Sequence, residues 1–212
     1  MYHYVEDKDF LKRARKACAS LLQELEIRLR EKGMNTQFFL IGSGARNMVT
    51  QNEDGPIDFD YNLNIISCED WNDCKKIKET VRKTFNEVLN ENGLPDCNDS
   101  TSALTTKPIY FKDDPNIDFS IDLAIVTKNY DEIWERLIHD KKTTPTRYFW
   151  NQAPNSNDYN TKSKEIKKVP GMWEEVREKY LDKKNMYLKR NDHYHPSFVC
   201  YIEAVNEIYS KL

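Results

Sequence analysis

The chain has 212 residues, 39% of them apolar and 32% charged, enough for one domain with an appendage or two small domains around a real core. A net charge of −3 with both signs mixed throughout excludes a general nucleic-acid-coating protein. Aromatic residues at 12% argue against disorder, and no apolar run approaches the ~20 residues of a membrane helix.

The N-terminal MYHYVEDKDFLKRARKA lacks the apolar centre of a signal peptide. Cys18, Cys68, Cys74, Cys97 and Cys200 are scattered, odd in number and free of C-x-x-C spacing. They read as free thiols of a reducing compartment, the cytoplasm, rather than as zinc ligands. Residues 9–32 read as a helix, because Phe10, Ala14, Ala17, Leu21, Leu25 and Leu29 form one apolar stripe that stops at Gly33. Residues 38–41, all apolar, are the length of a buried strand. Gly42-Ser43-Gly44 breaks it and leads into a short helix over about 45–50. A second strand begins at Ile57. A helix is predicted over 71–89, ended by Asn92-Gly93-Leu94-Pro95. Strands are predicted over 101–111 and 117–126, joined by a hairpin at 112–116, and a helix over 131–139. Residues 141–165 are rich in Thr, Asn, Pro and Lys without periodicity, which predicts a long loop or lid. Charged and amphipathic helices over about 170–189 and 192–212 close the chain, with Pro196 in the first turn of the latter.

The chemistry concentrates between residues 38 and 63. Ile57-Asp58-Phe59-Asp60-Tyr61 places two carboxylates on one face of a strand that is otherwise apolar. Such a pair is costly unless a cation lies between them. In the strand over 117–126, Asp118, Ser120, Asp122 and Ala124 share a face, and an Asp embedded as Ile121-Asp122-Leu123 is disfavoured in a central strand. Carboxylates converging from two strands can hold two divalent ions, and oxygen-liking Mg²⁺ is the natural tenant. Asp122 is favoured over Asp118 as the third carboxylate, because Asp118 sits near the strand entry, where Asp commonly caps a turn. The turn at Gly42-Ser43 offers backbone N–H groups and a hydroxyl to phosphate, with Arg46 one short turn later.

This combination resembles the nucleotidyltransferase superfamily with the DNA polymerase beta-like fold. Gly42-Ser43-Gly44-Ala45-Arg46 is similar to its GSxAR element, Ile57 to Tyr61 to its two-aspartate element and Ile121-Asp122-Leu123 to its third-carboxylate strand. The resemblance spans roughly residues 35–127. It implies an α+β fold, a mixed β-sheet flanked by helices, with a catalytic domain over 1–140 and a loop plus C-terminal helices over 141–212 packed on it. It further implies Mg²⁺-dependent transfer of a nucleoside monophosphate from an NTP to a hydroxyl acceptor, with Asp58, Asp60 and Asp122 as catalytic metal ligands and Gly42, Ser43 and Arg46 on the nucleotide. The acceptor is unassigned among small molecule, RNA and protein. A non-catalytic binding module of antitoxin-like or nucleotide-sensing kind, and a second-messenger or oligonucleotide synthase, are the alternatives. Gly55-Pro56-Ile57 replaces the family's usual Ser-Asp before the aspartate pair.

Other motifs have plainer readings. The near match of Gly42 to Asn47 to a dinucleotide fingerprint fails for want of a full crossover helix. His193 and His195 form an H-x-H that reads as two exposed histidines ahead of a helix. Lys162, Lys164, Lys167 and Lys168 can bind triphosphate or RNA, or simply solvate a loop. Arg147, Tyr148 and Trp150 can stack on a base or anchor their loop.

Overall fold

The computed structural model describes residues 1–153, 157–192 and 196–212. The His193/His195 pair lies outside the described residues. In chain order the elements begin with β1 (Tyr2–Tyr4), α1 (Lys8–Glu31), β2 (Asn35–Leu40), the four-residue α2 (Gly42–Ala45), β3 (Thr50–Asn52), β4 (Ile57–Ser67) and α3 (Cys74–Glu91). Next come β5 (Asn98–Asp99), β6 (Leu104–Thr105), β7 (Ile109–Phe111), β8 (Asp114–Lys128), β9 (Trp134–Asp140) and β10 (Arg147–Gln152). The helices α4 (Asn157–Ile166), α5 (Met172–Lys189) and α6 (Ser197–Tyr209) end the chain. Backbone proximity divides it into two compact units. One is Val5–Val49 with Gly55–Ala153, and the other is Met1–Tyr4, Thr50–Asp54 and Pro154–Leu212.

The first unit is a mixed sheet flanked by helices, an α+β fold. Its strand order is β10-β9-β8-β4-β2, with β6 and β7 also pairing with β8. The central pair, β4 and β8, is parallel, with Ile57 opposite Phe119 and Asp60 opposite Asp122. Alternation then separates two chemistries. Ile57, Phe59, Tyr61, Leu63 and Ile65 of β4 and Phe119, Ile121, Leu123 and Ile125 of β8 are buried in the core. α1 and α3 cover that face, α1 through Phe10, Ala14, Cys18, Leu22, Leu25 and Leu29, and α3 through Ile77, Val81, Phe85 and Leu89. Asp7 caps α1 by accepting from Phe10 N at 2.8 Å, and Asp73 caps α3 by accepting from Lys76 N at 2.8 Å. The opposite face carries Asp58, Asp60, Asn62 and Asn64 of β4 beside Ser120, Asp122 and Ala124 of β8.

A charged network sits at the edge of this core. Lys78, 1% exposed, pairs with Asp99 Oδ1 at 2.7 Å and donates to Ser100 O at 2.8 Å. His139 Nδ1 lies 2.7 Å from Asp99 Oδ2, and its ring stacks on Tyr148 with centroids 4.0 Å apart. Burial alone would push Asp99 up, but Lys78 and His139 outweigh it and hold the carboxyl below its ordinary value. The network fastens the hairpin of β5 and β6 from behind, since a lysine this deep is tolerated only when paired.

In the second unit β1 and β3 pair antiparallel. The Asn185 side chain of α5 accepts from Tyr2 N at 2.7 Å and donates to Tyr2 O at 3.0 Å, and Tyr4 Oη donates to Arg177 O at 2.7 Å. A small core collects Ile166, Val176, Tyr180, Tyr201, Ala204, Val205 and Ile208 from α4, α5 and α6. Among the described residues no helix is long and apolar enough to cross a membrane.

Several expectations are corrected. Residues 131–139 form a hairpin and strand, not a helix. Asn129 Oδ1 accepts from the N–H of Asp131 and Ile133, closing a turn, and Glu132 takes φ 60°. Glu135 and His139 then face one way with Leu137, a period of two that the Ile133/Leu137 spacing concealed. Residues 141–165 are not one long loop. β10 pairs with β9 from Glu135 to Asp140, and α4 follows at Asn157. The aromatic run Tyr148-Phe149-Trp150 was the strand signal there. Tyr148 and Trp150 anchor to the core, with Trp150 Nε1 donating to Trp71 O at 3.1 Å. The predicted strand over 101–111 is broken at Lys107-Pro108, where proline cannot donate to the ladder. The helix expected over 45–50 is instead Gly42–Ala45, and Thr50 already belongs to β3. Of the basic residues, Lys162 pairs with Asp158 at 2.9 Å, Lys168 with Glu165 at 2.7 Å, and Lys167 lies 4.1 Å over Trp173.

Candidate active site

β2 runs into α2, and α2 lies against β4. Ile41 N donates to Asp60 O at 2.8 Å, which fixes the entry of the turn beside the second aspartate. Gly42 takes φ 62°, a left-handed conformation that glycine adopts without cost. Its Cα sits so close to Asp60 that a methyl there would lie 2.2 Å from Asp60 Oδ2. The turn and the carboxylate are therefore in direct van der Waals contact, and only glycine permits it. Arg46 Nη1 donates to Gly42 O at 2.8 Å and Arg15 Nη2 to Gly44 O at 2.9 Å, so two guanidiniums brace the turn from its carbonyl side. The first N–H groups of α2 have no partner within the helix, as at any helix start.

The three carboxylates occupy one face of two adjacent strands. Asp60 is the direct register partner of Asp122, and Asp58 that of Ser120. Asp118 precedes the first paired residue of the parallel ladder. Burial, then Asp122, then Asp58 push the Asp60 carboxyl up to about 6, against the pull of Arg136 and Arg46. Burial likewise raises Asp122, opposed by a hydrogen bond from Thr105 and reinforced by Asp58. Each outer carboxylate has its own hydroxyl. Ser120 Oγ donates to Asp58 Oδ1 at 2.5 Å, and Thr105 Oγ1 donates to Asp122 Oδ1 at 2.5 Å.

With the side chains engaged this way, no three His, Cys, Asp or Glu groups among the described residues are gathered as a bound metal would gather them. The donor set nevertheless fits a hard divalent cation. It consists of carboxylate oxygens only, on one face, with two members raised by burial and mutual repulsion, which is the electrostatic mark of missing positive charge.

Thr105, Ser120 and Arg136 were not singled out from the sequence. A hydroxyl at every second residue of a strand is common, and their pairing with Asp58 and Asp122 depends on which strands become neighbours. For Thr105→Val the expected result is roughly 5- to 10-fold weaker Mg²⁺ affinity near pH 6 and a binding midpoint moved to higher pH, read by calorimetric titration across pH 5–8. The sign follows from the lost donor, which favours ionised Asp122.

No family model matches the chain, and no curated protein matches it in sequence. Solved structures do share its architecture. The CdnC of E. coli MS115-1, solved with ATP, superposes with a TM-score of 0.58 over 96% of this chain and 61% of its own, at 14% identity. The Vibrio cholerae DncV cyclic AMP-GMP synthase, solved with the linear intermediate 5′ pppA(3′,5′)pG, gives 0.51 over 72% of this chain and 40% of its own, at 12% identity. The chain thus spans about two-fifths to three-fifths of the length of these structures. Its fold is the nucleotidyltransferase-like one expected from the motifs.

Proposed function

We propose that this chain carries a metal-dependent nucleotidyltransferase site, which transfers a nucleoside monophosphate from an NTP to a hydroxyl acceptor and releases pyrophosphate. The observation that carries the proposal is the register of β4 on β8, which sets Asp60 opposite Asp122 with Asp58 alongside, directly behind the Gly42-Ser43 turn. Asp58 and Asp60 would hold two Mg²⁺ ions, and Asp122 would join them on one. Bound there, Mg²⁺ supplies Lewis-acid stabilisation of the developing phosphate charge and acidifies the attacking hydroxyl. The chain's own groups do the rest. The backbone N–H groups after Ile41 and the Ser43 hydroxyl hold the β- and γ-phosphates, with Arg46 bracing the turn that presents them. Asp122, whose upward shift the Thr105 hydroxyl opposes, would take the acceptor's proton.

Solved proteins of this fold include a cyclic AMP-GMP synthase, which supports a second nucleotide as acceptor. The five cysteines form no disulfide and four of them are buried, which supports a reducing, cytoplasmic setting. The test is calorimetric titration of ATP, GTP, CTP and UTP with Mg²⁺ and with EDTA, followed by chromatography of products formed from NTPs alone. Mg²⁺-dependent binding with pyrophosphate release is the expected result. Tight binding without turnover would turn the reading to a nucleotide-sensing module, and absence of binding would sink it. New phosphodiester products from NTPs alone would assign the acceptor.

A further inference from the structure

Beyond the carboxylates, the same face of the sheet holds three buried polar atoms with no hydrogen-bond partner: Asn62 Oδ1, Asn64 Oδ1 and Arg136 Nε. An orphaned buried polar atom is costly, and it persists in native proteins chiefly where a ligand or water completes it. Their placement follows from register. Asn62 and Asn64 continue the Asp58/Asp60 series on β4, and Asn64 is opposite Val126, which is in turn opposite Arg136 on β9. Arg136 is partly buried and forms no ion pair among the described residues, yet its charge is felt at Asp60. Between the rows, the register partner of Asn62 is Ala124, whose methyl leaves a low floor. On the other side of Asn62, Phe39 of β2 exposes 40% of its surface.

At about 3.3 Å per residue, Asn64 lies roughly 13 Å along the strand from Asp60. That is the reach from a nucleotide's phosphates to its base rather than from one phosphate to the next. The groups suit a base edge. A guanidinium donates to two acceptors side by side, while the amide oxygens of Asn62 and Asn64, about 6.6 Å apart along the strand, accept N–H donors. Guanine presents both patterns, with O6 and N7 as paired acceptors and N1–H and N2–H₂ as donors. An exposed aromatic ring at the rim adds a stacking surface.

We propose that Arg136, with Asn62 and Asn64, forms a guanine-reading subsite, and that Arg136 is its specificity-determining residue. The inference rests on the nucleotide reading above and assigns the base that reading leaves open. The experiment titrates GTP, ATP, CTP and UTP, each with Mg²⁺, into wild type, Arg136→Gln and Arg136→Lys, with circular dichroism and a thermal melt for each variant. Wild type is expected to bind GTP most tightly. Both variants are expected to lose roughly 5- to 150-fold in GTP affinity, with the other three triphosphates changed much less. Arg136→Lys keeps the charge and loses the fork, so it separates base reading from phosphate attraction. A uniform loss across the four triphosphates, rescue by lysine, or a wild type without preference for GTP would overturn the guanine subsite and leave the nucleotide site standing. A folded wild type that binds none of the four would overturn both.

Discussion

Gly42→Ala is expected to lower Mg²⁺-dependent nucleotide affinity by about 100-fold or more. Two penalties combine at this position. An L-residue at φ 62° carries a backbone cost of roughly 1–2 kcal/mol. The added methyl would also meet Asp60 Oδ2 at 2.2 Å and Cγ at 3.0 Å, inside any real contact distance. Either the carboxylate turns away from Asp122 or the turn backs off from β4. Both outcomes separate the phosphate-holding N–H groups from the carboxylates, and a combined penalty of about 3 kcal/mol corresponds to a 100-fold loss of affinity. Gly44→Ala is the matched control. Its methyl would meet side-chain carbons rather than a carboxylate, Leu40 Cδ1 at 3.0 Å, Phe59 Cδ1 at 3.3 Å and Leu40 Cγ at 3.4 Å, and its backbone is not left-handed. It should cost stability in a thermal melt while leaving affinity within a few-fold of wild type. Equal affinity in Gly42→Ala and wild type would show that the Gly42–Asp60 contact is no part of a nucleotide site.

Asp60→Asn should make the metal-free protein more stable while abolishing Mg²⁺-dependent binding. Asp60 titrates near 6 in the folded chain, above the ~3.9 of an unfolded aspartate. The folded state therefore binds more protons than the unfolded state between about pH 4 and 6. Stability contributed by this group falls as pH rises through that window, and the cost is fully present above pH 6. Two pKa units correspond to roughly 3 kcal/mol at most. Asparagine keeps the shape and removes the charge. A gain of about 1–3 kcal/mol at pH 7.5, or roughly 2–10 °C in Tm, is the expected result without metal. The gain should vanish near pH 4. Saturating Mg²⁺ should reverse the order, because only wild type gains the linkage stabilisation of a bound ion. If the variant is less stable than wild type in EDTA at pH 7.5, the three carboxylates do not form a site short of positive charge.

The parts of the fold legible in the sequence were those written in local periodicity. α1 and α3 announce themselves by apolar stripes, and the stops at Gly33 and Asn92-Gly93 fall where the helices end. β4 and β8 announce themselves by strict alternation, so the placing of Asp58, Asp60 and Asp122 on one face followed directly. What stayed hidden depends on neighbours distant in sequence. β9 becomes a strand because β8 and β10 offer it hydrogen bonds on both sides, while its own Ile133/Leu137 spacing suited a helix. Thr105 matters because β6 reaches the edge of β8 at Asp122. Arg136 gains its interest only once β9 brings it to the face that holds Asp60. Nothing local to Lys78 marks it as buried; its depth follows from its pairing with Asp99, distant in sequence.

The parallel ladder of β4 and β8 also sets where the chain can change length. Because side chains alternate, a one-residue insertion inside β8 between Phe119 and Ile121 would swing Asp122 toward α1 and α3 and bring Ile121 out to face Asp60. The same insertion in the turn that enters β8 leaves that alternation intact. Descendants of this sequence should therefore vary in length around Lys112 and Asp113 and hold a fixed count from Ile57 to Asp60 and from Phe119 to Asp122.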